Sequence, residues 1–225
     1  MKVGVIGNGF VGEAQAFAFS LSNDVLIYDV DPARTFNTLE EVHTADYVFV
    51  CVPTPMHKDG TQDLSIIEEV FTHSKAEPIY IIKSTVKPGT TESLRKKYPH
   101  LNIVFSPEFL TEANSINDFK NQTRIILGVD RKGTNKLRVM FSKAFPKAHI
   151  IKTDSTYAEM IKYLTNNFLT VKVAFANEMY KICERLNIDY DKVVEYATLD
   201  ERLGPSHWGV PGPDGDFGYG GHCFP

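Results

Sequence analysis

Short apolar runs alternate with amphipathic stretches along the first two thirds of the chain. The apolar runs are rich in β-branched residues and are typical of strands buried on both faces. They are Val3–Ile6, Val25–Tyr28, Tyr47–Val52, Ile79–Ile82, Ile103–Phe105 and Arg124–Val129. Helical spacing predicts helices at about Val11–Leu21, Asp63–Ser74, Thr91–Tyr98 and Gly133–Ala144. Strands that alternate with helices predict an α/β fold with a doubly wound parallel sheet, whose ligands bind beyond the carboxyl ends of the strands.

A long helix and a glycine-rich loop make up the last third. No Gly or Pro occurs between Ser155 and Leu186, which predicts a helix ~45 Å long at 1.5 Å per residue. Its apolar residues lie on more than one face, so the helix needs partners, and we expect the sheet domain and a second subunit. A shorter helix is predicted at Asp189–Leu199, and a Gly/Pro-rich loop, Gly204–Gly215, follows it. We therefore predict two domains, 1–153 and 154–225.

The turn after the first strand has the spacing of a dinucleotide-binding loop. Gly7, Gly9 and Gly12 form a GxGxxG between a strand and a helix, and Asp29 follows Gly12 by 17 residues at the end of the next strand. In such a Rossmann-like loop the pyrophosphate lies at the helix N-terminus. Asp29 would bind the ribose hydroxyls and repel a 2′-phosphate, which favours NAD over NADP, although the nearby Arg34 could accept that phosphate. The alternative is a glycine-rich turn of another α/β protein.

Composition and charge exclude several classes of function. The 225 residues are 43% hydrophobic and 23% charged, with a net charge of −4 and no run of Lys or Arg, so we expect no nucleic-acid partner. No apolar run approaches the ~20 residues of a membrane span, and the N-terminus does not resemble a signal peptide. The three cysteines are far apart, which argues against disulfides and zinc and fits a reducing cytoplasm. Cys51 lies in an apolar strand and Cys183 in the long helix, and both are predicted to pack.

The third cysteine lies in a different setting. Cys223 follows three glycines within the stretch Phe217–Pro225, where the backbone can approach a bound ligand closely. A thiol in that position can attack an aldehyde and hold it covalently, although an incidental loop cysteine is the alternative. In the long helix Glu159, Lys162 and Asn166 share one face, and spacing alone favours a solvated stripe of salt bridges.

Together these motifs make the chain resemble the UDP-glucose/GDP-mannose dehydrogenase family over nearly its whole length. The last motif is highly specific, and the combination is more specific still. The motifs that carry the resemblance are Gly7–Gly12, Cys51–Pro55, Ser84–Val86, Pro107–Leu110, Lys162–Leu169, Arg202–Gly204 and Gly218–Pro225.

The resemblance implies a four-electron oxidation of a sugar-nucleotide C6 alcohol to the carboxylate with two NAD. Cys223 would form a thiohemiacetal with the aldehyde and then a thioester, which water hydrolyses. Lys162 and Asn166 would stabilise the alkoxide or oxyanion, a role that replaces the salt-bridge interpretation of this pair. Lys162 would also lower the pKa of the thiol. Thr85 and Glu108 would handle the water, with Glu108 as the general base.

The resemblance also implies binding residues and a partner. The predicted cofactor contacts are Gly7, Gly9, Phe10, Val11, Gly12, Asp29, Arg34, Val52, Pro53, Thr54, Ser84, Thr85 and Glu112. The predicted substrate contacts are Glu108, Phe109, Leu110, Glu112, Lys162, Asn166, Arg202, Tyr219 and Gly220. Arg202 matches an arginine that reaches the substrate of the neighbouring subunit, so we expect a homodimer formed through the long helix.

The chain departs from the family pattern in three ways. The family motif continues with Lys-Asp where this chain ends at Pro225, and the aspartate assists Thr85. The family's C-terminal nucleotide-binding domain has no counterpart here, and the loop from Arg202 to Cys223 is longer than usual. We interpret the chain as a fragment or truncated form, with a naturally short protein as the alternative.

Several functions stay open on the sequence. UDP-glucose is the preferred substrate because Pro107–Glu112 resembles that branch of the family, and GDP-mannose and UDP-N-acetylhexosamines are alternatives. A second hypothesis is an NAD-binding module without turnover. A third is a two-electron dehydrogenase of a 2-hydroxy or 3-hydroxy acid, which ranks last because it has no need of Cys223 in a glycine loop.

Overall fold

The computed structural model describes residues 1–110, 115–129 and 134–220 and divides the chain into two compact units, 1–162 and 163–225. The strands are β1 (Lys2–Ile6), β2 (Asp24–Tyr28), β3 (Tyr47–Val50), β4 (Ile79–Ile82), β5 (Asn102–Phe105), β6 (Arg124–Gly128) and β7 (His149–Thr153). The helices are α1 (Phe10–Ser20), α2 (Leu39–Val42), α3 (Ser65–Thr72), α4 (Thr90–Lys97), α5 (Ser115–Lys120), α6 (Thr134–Ala144), α7 (Ser155–Leu186) and α8 (Tyr190–Ala197). The predicted long helix is confirmed.

The strands form one sheet in the order β2-β1-β3-β4-β5-β6-β7. Neighbouring strands run parallel except β5 and β6, which pair antiparallel where Phe105 meets Gly128. The predicted α/β fold is confirmed. The prediction of a parallel sheet is wrong for the β5–β6 pair alone among the described strands. The sequence patterns also missed β7, whose side chains are mostly exposed, and the single turn α2.

Both faces of the sheet are buried, which explains the continuous apolar runs. Side chains along a strand alternate between faces. Tyr47 and Phe49 therefore pack in one hydrophobic cluster with Phe19 of α1 and Phe141 of α6, while Val48 and Val50 of the same strand pack in another. Because each face is covered by helices, ligands reach the sheet at its edges.

The residues just beyond β1, β3, β4 and β5 lie side by side at the carboxyl edge of the sheet. Each of them donates its backbone N–H to the carbonyl of the last residue of a neighbouring strand. The bonds are Gly7 to Tyr28 (2.9 Å), Cys51 to Ile6 (2.8 Å), Lys83 to Val50 (2.8 Å) and Ser106 to Ile82 (2.9 Å). The loops that carry the predicted motifs therefore start at adjacent positions.

The second unit has its own small core. Ala176 and Cys183 of α7 pack with Tyr190 of α8 and with Val210 of the following loop. Asp189 caps α8 by accepting a hydrogen bond from the Lys192 N–H at 3.2 Å. Cys183 is buried in this core, as predicted.

Candidate functional site

The glycine loop is shaped by close backbone contacts. Gly7 has φ +90°, and a Cβ there would lie 2.6 Å from the carbonyl oxygen of Cys51. A Cβ on Gly12 would lie only 1.9 Å from the carbonyl oxygen of Gly7, so helix α1 passes directly against the turn. Gly9, the N-cap of α1, has no side chain to cap the helix, and a Cβ there would meet no atom within 4 Å. Free N–H groups and an open approach suit a phosphate.

Asp29 lies at the carboxyl end of β2, beside this loop. Its carboxylate accepts the N–H of Asn8 at 2.5 Å and the N–H of Asp31 at 2.9 Å. The Arg34 guanidinium is exposed and lies 3.6 Å from the Asp31 carboxylate, and the Arg34 carbonyl accepts a bond from the Asn8 side chain at 2.9 Å. The β2–β3 connection is thus tied to the glycine loop, with Asp29 held in place by backbone donors.

The predicted residues after β3 and β4 are joined to one another. The Ser84 hydroxyl donates to the carbonyl of Val52 at 2.6 Å, and the Thr54 hydroxyl donates to the carbonyl of Thr85 at 2.8 Å. Gln62, which sequence reasoning missed, donates its side-chain amide to the same Thr85 carbonyl at 2.7 Å. These bonds hold the loops against each other at the carboxyl edge, and the exposed Pro53 lies between two of these residues in the chain.

Glu108 and Lys162 form a buried ion pair at this edge. The Lys162 ammonium donates to the Glu108 carboxylate and to its backbone carbonyl, both at 2.8 Å, and the second carboxylate oxygen accepts the Leu110 N–H at 2.7 Å. The side chains are 4% and 6% exposed. Taking such a pair out of water is costly, so its place at the carboxyl edge of the sheet indicates function more than stability.

Phe109 lies close to two cations in the same region. Its ring centroid is 4.5 Å from the Arg124 guanidinium carbon and 5.6 Å from the Lys162 nitrogen. Attraction between a cation and the face of an aromatic ring contributes about 0.5–2 kcal/mol, depending on burial. Leu110 is buried in the core. The predicted substrate segment is therefore anchored at Glu108, Phe109 and Leu110.

Glu159 has a different role from the one that its spacing suggested. It is fully buried and accepts bonds from the N–H of Gly89 (2.6 Å) and from the N–H and hydroxyl of Thr91 (2.8 and 2.6 Å). It therefore caps helix α4 from a distant part of the chain. The spacing predicted a solvated stripe of salt bridges, and this prediction is wrong for Glu159 and Lys162, because both side chains are buried.

The remaining predicted residues lie in the second unit or outside the described residues. Asn166 is partly buried on α7, and Tyr219 and Gly220 are exposed. The Arg202 guanidinium is exposed and binds the Asp200 carboxylate. Glu112 and Cys223 lie outside the described residues.

Asn177 of α7 is a residue that sequence reasoning missed. Its side-chain oxygen accepts the Gly218 N–H at 2.9 Å, while its amide donates to the carbonyl of Val173 at 2.8 Å. It thus anchors the start of the glycine-rich stretch to the helix. A polar residue among the apolar positions of a long helix was the available signal.

In the described residues no helix is long and apolar enough to cross a membrane, and no cluster of metal-ligating side chains occurs. Among these residues Cys51 and Cys183 are unbonded thiols, and burial raises the pKa of Cys51 to about 12.

Two sequence models match the chain. Residues 33–145 match the NAD-binding domain of the UDP-glucose/GDP-mannose dehydrogenase family, and residues 156–225 match its central domain. The UDP-glucose 6-dehydrogenase of Rickettsia bellii is 34% identical over 196 residues, which are 83% of this chain and 44% of the relative. The chain thus spans about half the length of the curated relatives that it matches.

Solved structures agree with this assignment. A UDP-glucose dehydrogenase from Pyrobaculum islandicum superposes with a TM-score of 0.86 at 28% identity, over 99% of this chain and 61% of the other. A GDP-mannose dehydrogenase from Pseudomonas aeruginosa superposes with a TM-score of 0.79 at 25% identity, over 92% and 59%. The chain belongs to the UDP-glucose/GDP-mannose dehydrogenase family and carries its NAD-binding domain, for which the cofactor is NAD.

Proposed function

We propose that the protein oxidises the C6 hydroxyl of a sugar nucleotide, UDP-glucose, to a carboxylate with two NAD. The observation that carries the proposal is the buried Lys162–Glu108 pair, which joins a cation and a carboxylate at the carboxyl edge of an NAD-binding sheet. Relatives named UDP-glucose 6-dehydrogenase support the choice of sugar. GDP-mannose is the second candidate, because a structure of that specificity also superposes on the chain.

In the proposed reaction each step is assigned to particular residues of the chain. NAD, when bound, supplies the hydride acceptor for both oxidations. Lys162 and Asn166 stabilise the negative oxygen at C6, and Lys162 is already desolvated, which strengthens its electrostatic effect. The Cys223 thiolate bonds to the aldehyde carbon, and loss of the second hydride leaves a thioester. Water then attacks the thioester while Glu108 takes one of its protons, and the C–S bond breaks to release the thiolate. The carboxylic acid that forms loses its remaining proton to solvent.

The cofactor residues would act through the open glycine loop. The N–H groups at the start of α1 would bind the pyrophosphate, and the Asp29 carboxylate would accept the ribose hydroxyls, which disfavours a 2′-phosphate. We assign this role to the domain 1–153 and the catalytic loop to the domain 154–225. The reducing cytoplasm is the compartment that would keep Cys223 reduced.

We also propose that the protein is a homodimer formed through α7. Leu164, Phe168, Val171 and Phe175 recur at intervals of four, three and four residues and are all exposed, between 52% and 65%. A narrow apolar stripe of that period is the pattern by which helices of two copies pack. Phe168→Glu should give a monomer in sedimentation experiments, and an unchanged dimer would exclude α7 as the interface.

The function is tested by counting NADH formed per UDP-glucose consumed in excess NAD. Two NADH per sugar with turnover would support the full oxidation, and Cys223→Ser should then abolish acid formation while NAD still binds. Cys183→Ala is the matched control, because that thiol packs in the core of the second unit. Unchanged acid formation by Cys223→Ser would exclude covalent catalysis.

Other outcomes favour the alternatives. NAD binding without NADH from UDP-glucose, GDP-mannose or UDP-N-acetylhexosamines would favour a binding module. A burst of two NADH per enzyme, with no further turnover, would indicate a thioester that is not hydrolysed.

A further inference from the structure

Lys83 is a buried lysine that the proposed reaction does not use. It follows β4 directly and is 3% exposed. Its ammonium donates to the carbonyl of Pro107 at 3.2 Å and to the hydroxyl of Ser106 at 3.4 Å. Within the described part of the chain it forms no ion pair. Burial of an ammonium group against neutral hydrogen-bond acceptors is unfavourable for folding. Its presence at the carboxyl edge of the sheet therefore calls for a functional reason.

Among the described residues, three titratable groups act electrostatically on the Lys83 ammonium. They are Cys51 after β3, Glu108 after β5 and Lys162 of α7. Burial lowers the pKa of Lys83 to about 8, Cys51 and Glu108 oppose this shift, and Lys162 adds to it. Lys83 is therefore a second cation beside the Glu108–Lys162 pair, and burial makes its ammonium easier to deprotonate than that of an exposed lysine.

The hydrogen bonds of Lys83 act on the segment that carries Glu108. The pyrrolidine ring restricts φ of Pro107, and a bond to the Pro107 carbonyl restricts the next peptide plane, which is the one that leads into Glu108. The bond to Ser106 holds the preceding residue. The direction of the Glu108 side chain toward Lys162 thus depends on an ammonium from the neighbouring strand.

We propose that Lys83 is a positioning residue for Glu108: its buried ammonium fixes the Ser106–Glu108 segment against Lys162 and adds a second positive charge to that pair. The proposal rests on the proposed function only where it assigns Glu108 to the reaction. The contact between Lys83 and the Glu108 segment does not depend on the substrate.

The contact is tested without turnover by titrating lysines labelled with ¹³C at Cε and following them by NMR. The Lys83 signal is identified by its loss in Lys83→Met, and its midpoint should lie near pH 8. Glu108→Gln removes a neighbouring anion and should lower this midpoint by about half a pH unit or more. Glu178→Gln, at an exposed position of α7, is the control and should leave the midpoint unchanged. A midpoint near the ordinary ~10.4, or no response to Glu108→Gln, would overturn the proposal.

The positioning role is tested by the kinetics of the protein with NAD and UDP-glucose. Lys83→Met should lower kcat about ten- to a hundredfold, keep the NAD affinity within about twofold, and remove the fall in rate that we expect of the parent above pH 8. Lys96→Met, which removes an exposed lysine of α4, should behave as the parent. A Lys83→Met protein with parental kcat and pH profile would refute the role.

The two experiments separate the proposals. If the parent forms no NADH with any sugar nucleotide, the proposed function fails, and the NMR titration still decides whether Lys83 is coupled to Glu108. If Lys83→Met does not fold, Lys83→Arg is the second variant, because it keeps the positive charge and the hydrogen-bond donors. Arginine stays protonated at high pH, so the rate of Lys83→Arg should begin to fall only at a pH well above 8. A Lys83→Arg profile identical to that of the parent would overturn the proposal.

Discussion

Replacing Glu159 by alanine should remove a large part of the stability of the first unit. The carboxylate is fully buried and satisfies the Gly89 N–H, the Thr91 N–H and the Thr91 hydroxyl at distances of 2.6 to 2.8 Å. Two of these donors are orphan N–H groups at the start of α4, which the helix itself does not satisfy. Gly89, the N-cap residue, has no side chain to replace the lost acceptor.

The magnitude follows from the three donors. Each buried donor that loses its partner costs about 1–3 kcal/mol, and entry of water into the space left by the side chain recovers part of the sum. We therefore expect Glu159→Ala to lower the free energy of unfolding by about 3–5 kcal/mol, a large share of the ~5–15 kcal/mol of a typical domain. Glu159→Gln keeps one acceptor and loses the charge, so its cost should be about half as large.

Urea unfolding followed by circular dichroism measures the loss, and amide hydrogen exchange at Gly89 and Thr91 localises it. With an m-value of about 2–3 kcal/mol/M, the midpoint should fall by about 1–2 M. Glu178→Ala is the control on the same helix, because that glutamate is exposed and its ion pair with Lys181, at 3.1 Å, lies on the surface. If Glu159→Ala were within about 1 kcal/mol of Glu178→Ala, the long-range cap would not stabilise the unit.

Three further predictions concern the glycine loop, a buried histidine and the second unit. Gly12→Ala should disrupt the loop, because its Cβ would lie 1.9 Å from the Gly7 carbonyl oxygen, whereas Gly9→Ala meets no atom within 4 Å and should keep the fold while weakening NAD binding. Equal circular dichroism spectra and NAD titrations for the two variants would contradict this. Burial lowers the pKa of His43 to about 4 from 6.5, so the unfolded chain binds a proton in this window that the folded chain does not, and stability should fall by up to about 3 kcal/mol as the pH drops through it. Urea titrations at several pH values should show a shallower fall for His43→Gln, and an unchanged slope would refute the shift. Asn177→Ala should destabilise the second unit by about 1–2 kcal/mol, measured by Trp208 fluorescence in urea, and Asn177→Asp, which keeps the acceptor, should lose less.

The glycine loop after β1 was predictable because its determinants are local. The strand, the three glycines, the helix and Asp29 follow one another within about thirty residues, the length of one βαβ unit. The close contacts at Gly7 and Gly12 then account for two of the glycines. The long helix was equally readable, since 32 residues without Gly or Pro leave few alternatives.

The direction of β6 and the existence of β7 were not predictable from the same patterns. An apolar run indicates a strand, but parallel and antiparallel partners demand the same composition. β7 presents mostly exposed side chains, so the apolar signal that marks inner strands is weak there. Both features depend on where the chain returns to the sheet.

The roles of charged residues were decided by tertiary structure alone. The spacing of Glu159 and Lys162 placed them on one helix face and favoured their exposure to solvent. The fold instead buries Glu159 against the start of α4 and Lys162 against Glu108. In the sequence Lys83 is merely a lysine that follows a strand, whereas in the structure its ammonium is buried and donates to Ser106 and Pro107. The sequence by itself determined most of the local elements, the glycine loop and the resemblance to the family, because short-range periodicity and glycine geometry specify them. Only the tertiary structure decided which charges are buried and paired, because burial and hydrogen-bond partners come from segments 23 to 70 residues apart.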